Sequence, residues 1–240
     1  MRPLYVALML PSHEYSAGSR GHQQSTAISK EVNTMKTPLV ALVMFIIAAS
    51  AAAVLAQQPS SSTGPTARAK QVIASWKAKP AEVARTMIKK YGQPQEVTSN
   101  RLVWHKNGPW KFSELVNEEI AHSFPMPHSD MLYQSIAYRI EPDKADELIQ
   151  YDGSVILERT KGEIGARCDK EEANFLAINL AHEIATGKRS VDDARRFYAE
   201  SIQTMMKTGK PNEYLQGFRF TPPSGDQGDR DKPVGTTGQK

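Results

Sequence analysis

The most reactive side chain in this sequence is its single cysteine, Cys168, in a chain of 240 residues. The pattern places it at the end of a strand and just before a helix. A thiol at a helix N-terminus is a candidate nucleophile because its pKa is lowered there. His182 lies on the same helix, about 20 Å away at about 1.5 Å per residue, so the two cannot pair directly. Cys168 and His182 are the candidate catalytic residues, and the alternative for Cys168 is a small buried hydrophobic residue.

Three histidines indicate a second kind of site. His122 and His128 flank a proline-rich loop, Asp130 follows closely, and His105 lies on a neighbouring predicted strand. Two or three imidazoles with a carboxylate suit a borderline metal ion. We take His105, His122 and His128 as candidate metal ligands. Their spacing is not diagnostic and loop histidines more often only form hydrogen bonds, so we predict no cofactor.

Aromatic residues around a predicted hairpin offer a third possibility. Asn107-Gly108 is a strong signal for a two-residue hairpin turn, and Trp104 and Trp110 lie on either side of it. If exposed, Trp104, Asn107 and Trp110 would form a surface for binding a glycan or a peptide. The alternative is that these residues seal the sheet against a helix.

Common catalytic motifs are missing from the sequence. No Gly-x-Ser-x-Gly segment occurs. The segment from His182 to Thr186 resembles the zinc-protease motif H-E-x-x-H, but Thr186 stands where the second histidine is required. These absences favour a protein that is not an enzyme.

Composition narrows the classes of partner. The 30 Lys and Arg residues nearly balance the 26 Asp and Glu residues, for a formal net charge of +4. No run of basic residues is present, so we predict no nucleic-acid partner. A single cysteine cannot form a disulfide within the chain, and stability must therefore come from the core.

The N-terminal part has the pattern of a secretory leader. Met35-Lys36 is a short positive start, an apolar stretch follows from Leu39 to Ile47, and small residues continue to Ala56. We predict a signal peptide over 35–56, which implies export to the periplasm or the extracellular space. Residues 1–34 are then a start-site artefact or a cytoplasmic tail. The alternative is an uncleaved anchor over 38–56, whereas cleavage leaves no stable membrane span.

The remaining chain predicts one globular domain of the α+β class. Residues 57–65 form a Ser/Pro linker, 66–220 the domain, and 221–240 a disordered tail rich in Gly, Pro and Asp. Residue periodicity indicates an antiparallel sheet of about five strands flanked by N-terminal and C-terminal helix pairs. Asp169 with Glu172 predicts a capping box, and Ser190 with Asp193 predicts another helix start.

Two resemblances place the chain in a bacterial envelope. The helix from Ala81 with its Tyr91-Gly-Gln-Pro94 turn, followed by the strand at Arg101–Trp104, resembles the SmpA/OmlA family over about 81–112. These small lipoproteins support outer-membrane assembly, and this chain lacks their lipid-anchor cysteine. Further segments resemble a group of uncharacterised exported bacterial proteins, which implies no activity; the segments are Trp104–Trp110, Phe124–His128, Tyr151–Ser154 and Ala166–Glu172.

Our first hypothesis is therefore an exported, non-enzymatic envelope protein that binds a protein or a cell-wall component. An enzyme with a Cys or His site and a metal-binding protein are the alternatives.

Overall fold

The computed structural model describes residues 65–235. The segment 1–34, the predicted signal peptide over 35–56 and nearly all of the predicted linker lie outside the described residues. Over 65–235, no helix is both long and apolar enough to span a bilayer.

The described chain alternates helices and strands in an α+β arrangement, as predicted. In chain order the elements are α1 (Pro65–Ile73), α2 (Ala78–Tyr91), β1 (Glu96–Val97), β2 (Arg101–Asn107), β3 (Trp110–His122), β4 (His128–Ala137), a 3-10 turn (Pro142–Lys144), α3 (Ala145–Tyr151), β5 (Val155–Glu158), β6 (Glu163–Cys168), α4 (Glu171–Ala185), α5 (Val191–Thr208) and α6 (Glu213–Gln216).

The strands form one six-stranded sheet in the order β1-β2-β3-β4-β6-β5, and every neighbouring pair is antiparallel. The fold class is confirmed. The sixth strand is β1, whose two residues are too few to show an alternating pattern in the sequence. Because β6 inserts between β4 and β5, the end of β6 lies beside the start of β4.

The hairpin between β2 and β3 is confirmed, with its turn shifted by one residue. Asn107 pairs with Trp110, so Gly108 and Pro109 form the two-residue loop. Gly108 has φ 60°, the left-handed region that glycine adopts without strain. Proline has no backbone N–H to donate to a neighbouring strand, and in the loop no such hydrogen bond is needed.

The two C-terminal helix starts differ from each other. Ser190 caps α5 as predicted, since its Oγ accepts a hydrogen bond from the Asp193 amide at 3.2 Å. The capping box predicted for Asp169 and Glu172 is wrong. Helix α4 begins at Glu171 without a side-chain cap, and the Asp169 carboxylate instead lies 3.6 Å from the sulfur of Cys168.

The helices lie on one face of the sheet. Residues paired directly across strands share a face, so Leu102, Leu115, Leu132 and Cys168 all point toward the helices. Helix α4 is buried over most of its circumference, as its wide apolar face predicted, and it packs with α3 and α5 on one face. Helices α1 and α2 cover the same face nearer to β2, where Trp76, Met87, Leu102, Trp104 and Leu115 form a second core cluster.

A buried carboxylate joins two of the helices to the sheet. Glu171, the first residue of α4, accepts hydrogen bonds from the Trp110 indole at 2.6 Å and from the Tyr91 hydroxyl. The Gln134 amide of β4 donates to the same oxygen at 3.4 Å, and the other oxygen contacts the ammonium of Lys90. We call these five residues the Glu171 cluster. It connects α2, β3, β4 and α4.

The C-terminal segment packs against the domain. Asn179 of α4 donates to the carbonyls of Tyr214 and Gly217 and accepts from the Arg219 amide. Phe218 then lies edge-on to the Trp110 ring at 5.0 Å. The tail was expected to be disordered from residue 221, yet residues 227–231 form hydrogen bonds with Arg139, Arg159 and Thr160.

Candidate functional site

The end of β3, the start of β4 and the end of β6 lie together at one end of the sheet and bring reactive side chains together. His122 ends β3 and pairs directly with His128, the first residue of β4. Side chains alternate along a strand, so His128 and Asp130 point to the same face. Cys168 ends β6 and pairs with Leu132, which lies on that face as well. The pairing of β4 with β6 thus brings a residue forty positions away next to His128.

Asp130 is the centre of this group. Its side chain is buried, at 2% exposure, and one carboxylate oxygen, Oδ2, accepts a hydrogen bond from the Ser154 hydroxyl. The other oxygen, Oδ1, is also buried and has no hydrogen-bond partner among the described residues. A buried carboxylate oxygen without a donor is costly unless a cation or water satisfies it.

The unpaired oxygen faces a ring nitrogen of His128. Asp130 Oδ1 lies 3.0 Å from His128 Nε2, but the geometry is not that of a hydrogen bond. On the other side of the ring, His128 Nδ1 lies 2.8 Å from the carbonyl oxygen of Met126. A carbonyl only accepts, so Nδ1 carries the proton and donates. This leaves Nε2 as the nitrogen that faces Asp130.

His122 completes a compact group. Its Nδ1 lies 3.2 Å from Asp130 Oδ2 and 3.2 Å from the Ser154 hydroxyl oxygen. Its Nε2 lies 3.5 Å from the carboxylate of Asp152, which is itself held by the Ser154 amide at 2.8 Å. One ligand atom from each of His122, His128 and Asp130 falls within 4.8 Å of the others. Separations of this size allow all three side chains to share one metal ion.

The pKa values in the group follow from burial and from the carboxylate. Contact with Asp130, and then with Cys168, raises the pKa of His128 to about 11. Burial raises the pKa of the Cys168 thiol, against the opposing effect of His128. Burial also raises the pKa of Asp152, which the Ser154 amide opposes. The prediction that the helix N-terminus lowers the pKa of Cys168 is therefore wrong, because desolvation of the buried thiol raises this pKa.

A cavity of about 230 Å³ opens beside these residues. His128, Cys168, Asp169 and Lys170 form its polar side. The rest of its wall is largely apolar and includes Met126, Tyr198, Ile202, Met205 and Met206. Helix α5 therefore forms one wall of this cavity.

The structure separates His105 from the other two predicted ligands. His105 pairs with Phe112 across β2 and β3, ten residues before His122 on β3, which is roughly 30 Å along a strand. Its ring contacts the exposed Glu96 carboxylate at 2.6 Å. His105 thus does not belong to the same site as His122 and His128, and Asp130 takes its place.

The two candidate catalytic residues are also far apart, as expected. His182 lies at the other end of α4, where its ring stacks on Phe220 at 4.0 Å and its Nδ1 is 2.7 Å from the Tyr138 hydroxyl. Cys168 instead has His128 as its neighbour, with 3.5 Å between Sγ and Nε2.

This geometry is not that of a Cys-His-Asp relay. In such a relay the nucleophile and the carboxylate contact opposite nitrogens of the imidazole. Here Cys168 and Asp130 both face Nε2 of His128, and the Met126 carbonyl occupies Nδ1. Among the described residues, the side chains that do come together as metal ligands would are His122, His128 and Asp130.

The proposed aromatic binding surface is not present. Trp104, Asn107 and Trp110 are all buried. The Trp104 indole donates to the Gly92 carbonyl at 2.9 Å, and the Trp110 indole donates to Glu171. These residues seal the sheet against α2 and α4, which was the alternative interpretation.

Sequence reasoning missed Asp152 and Ser154. They lie in the loop before β5, and their only signal was a place in the Tyr151–Ser154 segment that resembles exported proteins. No family model, curated protein or solved structure matches this chain.

Proposed function

We propose that this protein binds a transition-metal ion through His122, His128 and Asp130, as an exported protein without a catalytic role of its own. The observation that carries the proposal is the unpaired Oδ1 of Asp130. It is buried, and it lies 3.0 Å from Nε2 of His128, the ring nitrogen that points away from the Met126 carbonyl.

The groups around the three ligands have the arrangement of an outer shell. Metal-binding histidines usually donate their second ring N–H to a carbonyl or a carboxylate, which fixes the ring. His128 donates to the Met126 carbonyl in this way, and Ser154 donates to the Asp130 oxygen that faces away from His128. Both contacts orient a ligand atom toward the same point before any ion arrives.

The ligand types favour Zn²⁺, Cu²⁺ or a similar ion. Imidazole nitrogen suits these borderline metals, whereas Ca²⁺ and Mg²⁺ prefer sites built from oxygen atoms. Two buried carboxylates, Asp130 and Asp152, lie near the ligand atoms and add negative charge that a divalent cation balances.

Metal titration of the purified full chain tests the proposal. We expect one Zn²⁺ per chain with micromolar affinity or better. Asp130→Asn and His128→Gln should each weaken binding by more than the roughly 10- to 100-fold typical of outer-shell changes. His105→Gln is the matched control, because His105 is a histidine at a strand position outside the group, and it should bind as the wild type does. Failure of the wild type to bind zinc or copper at micromolar levels would contradict the proposal.

The hypothesis of an envelope protein that binds a protein or cell-wall partner stays a prediction. It is compatible with a metal site, since the ion would be cargo or a structural element. Its proposed contact residues, however, are all buried.

A further inference from the structure

Cys168 contacts the metal-binding group without belonging to the three predicted ligands. Its Sγ lies 3.5 Å from Nε2 of His128, and the residue is buried at 5% exposure. Its only other polar neighbour at hydrogen-bond range among the described residues is Asp169, at 3.6 Å. A thiol is a poor hydrogen-bond partner, so these contacts do not account for its position beside a histidine.

The separation of the sulfur from the histidine nitrogen is that of two ligands on one tetrahedral ion. Zinc binds sulfur at about 2.3 Å and nitrogen at about 2.1 Å, and at tetrahedral angles the two atoms are about 3.6 Å apart. The 3.5 Å between Cys168 Sγ and His128 Nε2 agrees with this value.

We propose that the Cys168 thiolate is a further ligand of the metal ion held by His128 and Asp130. The inference rests on the proposed function and specifies the class of metal ion that the site would bind. A site with sulfur, nitrogen and one carboxylate selects thiophilic ions such as Zn²⁺, Co²⁺ and Cu⁺ over Ca²⁺ and Mg²⁺. Two independent observations support it: the distance of the sulfur from Nε2, and the buried, unpaired Oδ1 of Asp130 that faces the same nitrogen.

Binding requires Cys168 to lose its thiol proton and His128 to lose its Nε2 proton, and both protons pass to solvent as bonds to the metal replace the S–H and N–H bonds. The cavity next to Cys168 and His128 provides the path for ion and proton. Its methionines, Met126, Met205 and Met206, are thioethers, which suit the same class of soft ion.

Cobalt substitution of the full chain tests this ligand directly. A thiolate bound to Co²⁺ gives a near-ultraviolet charge-transfer band that nitrogen and oxygen ligands do not give. We expect the band in the wild type and in the His105→Gln control. In Cys168→Ser we expect Co²⁺ to bind at least about 10-fold more weakly and without the band.

The outcomes separate the two proposals. If the wild type binds Co²⁺ without the band, Cys168 is not a ligand, and the site of His122, His128 and Asp130 stands. If the wild type binds neither cobalt, zinc nor copper, both proposals fall. Should Cys168→Ser not fold, zinc X-ray absorption on the wild type decides. A sulfur scatterer at about 2.3 Å supports the proposal, and nitrogen and oxygen scatterers alone overturn it.

Discussion

Removal of the Glu171 carboxylate should destabilise the whole domain. Glu171 is buried at 6% exposure and accepts from the buried Trp110 indole and from the hydroxyl of the partly buried Tyr91. A hydrogen bond to a charged group contributes about 1.5 to 3 kcal/mol, and a donor left buried without a partner adds a penalty. The pair with Lys90 contributes less, because the Lys90 side chain is half exposed. We therefore expect Glu171→Ala to lower the free energy of unfolding by about 3 to 5 kcal/mol.

Urea denaturation followed by tryptophan fluorescence measures this loss. With an m-value of about 2 kcal/mol/M, the midpoint should fall by roughly 1.5 to 2.5 M. Glu171→Gln keeps the shape and one acceptor oxygen, so we expect about half of the effect.

Glu172→Ala is the matched control. Glu172 is the next residue on the same helix turn and is exposed, so its removal should change stability by less than about 0.5 kcal/mol. The reasoning is refuted if Glu171→Ala is no more destabilising than Glu172→Ala. It is refuted as well if Glu171→Gln is as stable as the wild type, because that result would mean that side-chain shape dominates and not the charge and hydrogen bonds of the carboxylate.

Three further predictions concern other parts of the domain. Burial lowers the pKa of His182, so the unfolded chain binds the proton more readily and stability falls as pH drops below about 6.5; the difference in Tm between pH 7.5 and pH 5.5 should shrink in His182→Gln. Gly165→Ala would push a methyl group into the Tyr133 ring, and we expect a loss of about 1 to 3 kcal/mol. Gly153→Ala has open space around it, so urea midpoints should separate the two glycine variants. All three tryptophans are buried, and acrylamide should therefore quench the native fluorescence only slightly; strong quenching would mean an exposed aromatic surface.

Local signals were enough to predict most of the elements. Gly92 and Gly209 end α2 and α5 because both adopt positive φ, and Ser190 starts α5 by binding the Asp193 amide. Helix α4 could be predicted because its apolar residues cover most of its surface. These features depend on neighbours within a few residues, which the sequence displays directly.

The site could be predicted only in part, because only some of its contacts are between residues that are close in the sequence. His122 and His128 belong to one hairpin, so their closeness follows from a local turn. The contact of Cys168 with His128 depends on β6 pairing with β4 across the intervening helix α3 and strand β5. Nothing in the spacing of residues 128 and 168 specifies that pairing. His105 was grouped with them wrongly, because it lies on β2 beside the opposite end of β3.

The packing of Phe218 on Trp110 has a consequence for synthesis of the chain. The two rings are 108 positions apart in sequence, and both belong to the main core. At about 5 to 20 residues per second, roughly 5 to 20 seconds pass between the synthesis of Trp110 and that of Phe218. During this interval the Trp110 ring and the face of α4 lack their C-terminal cover. The nascent chain therefore offers an apolar surface to chaperones for many seconds and becomes a closed domain only when its last helix has been made.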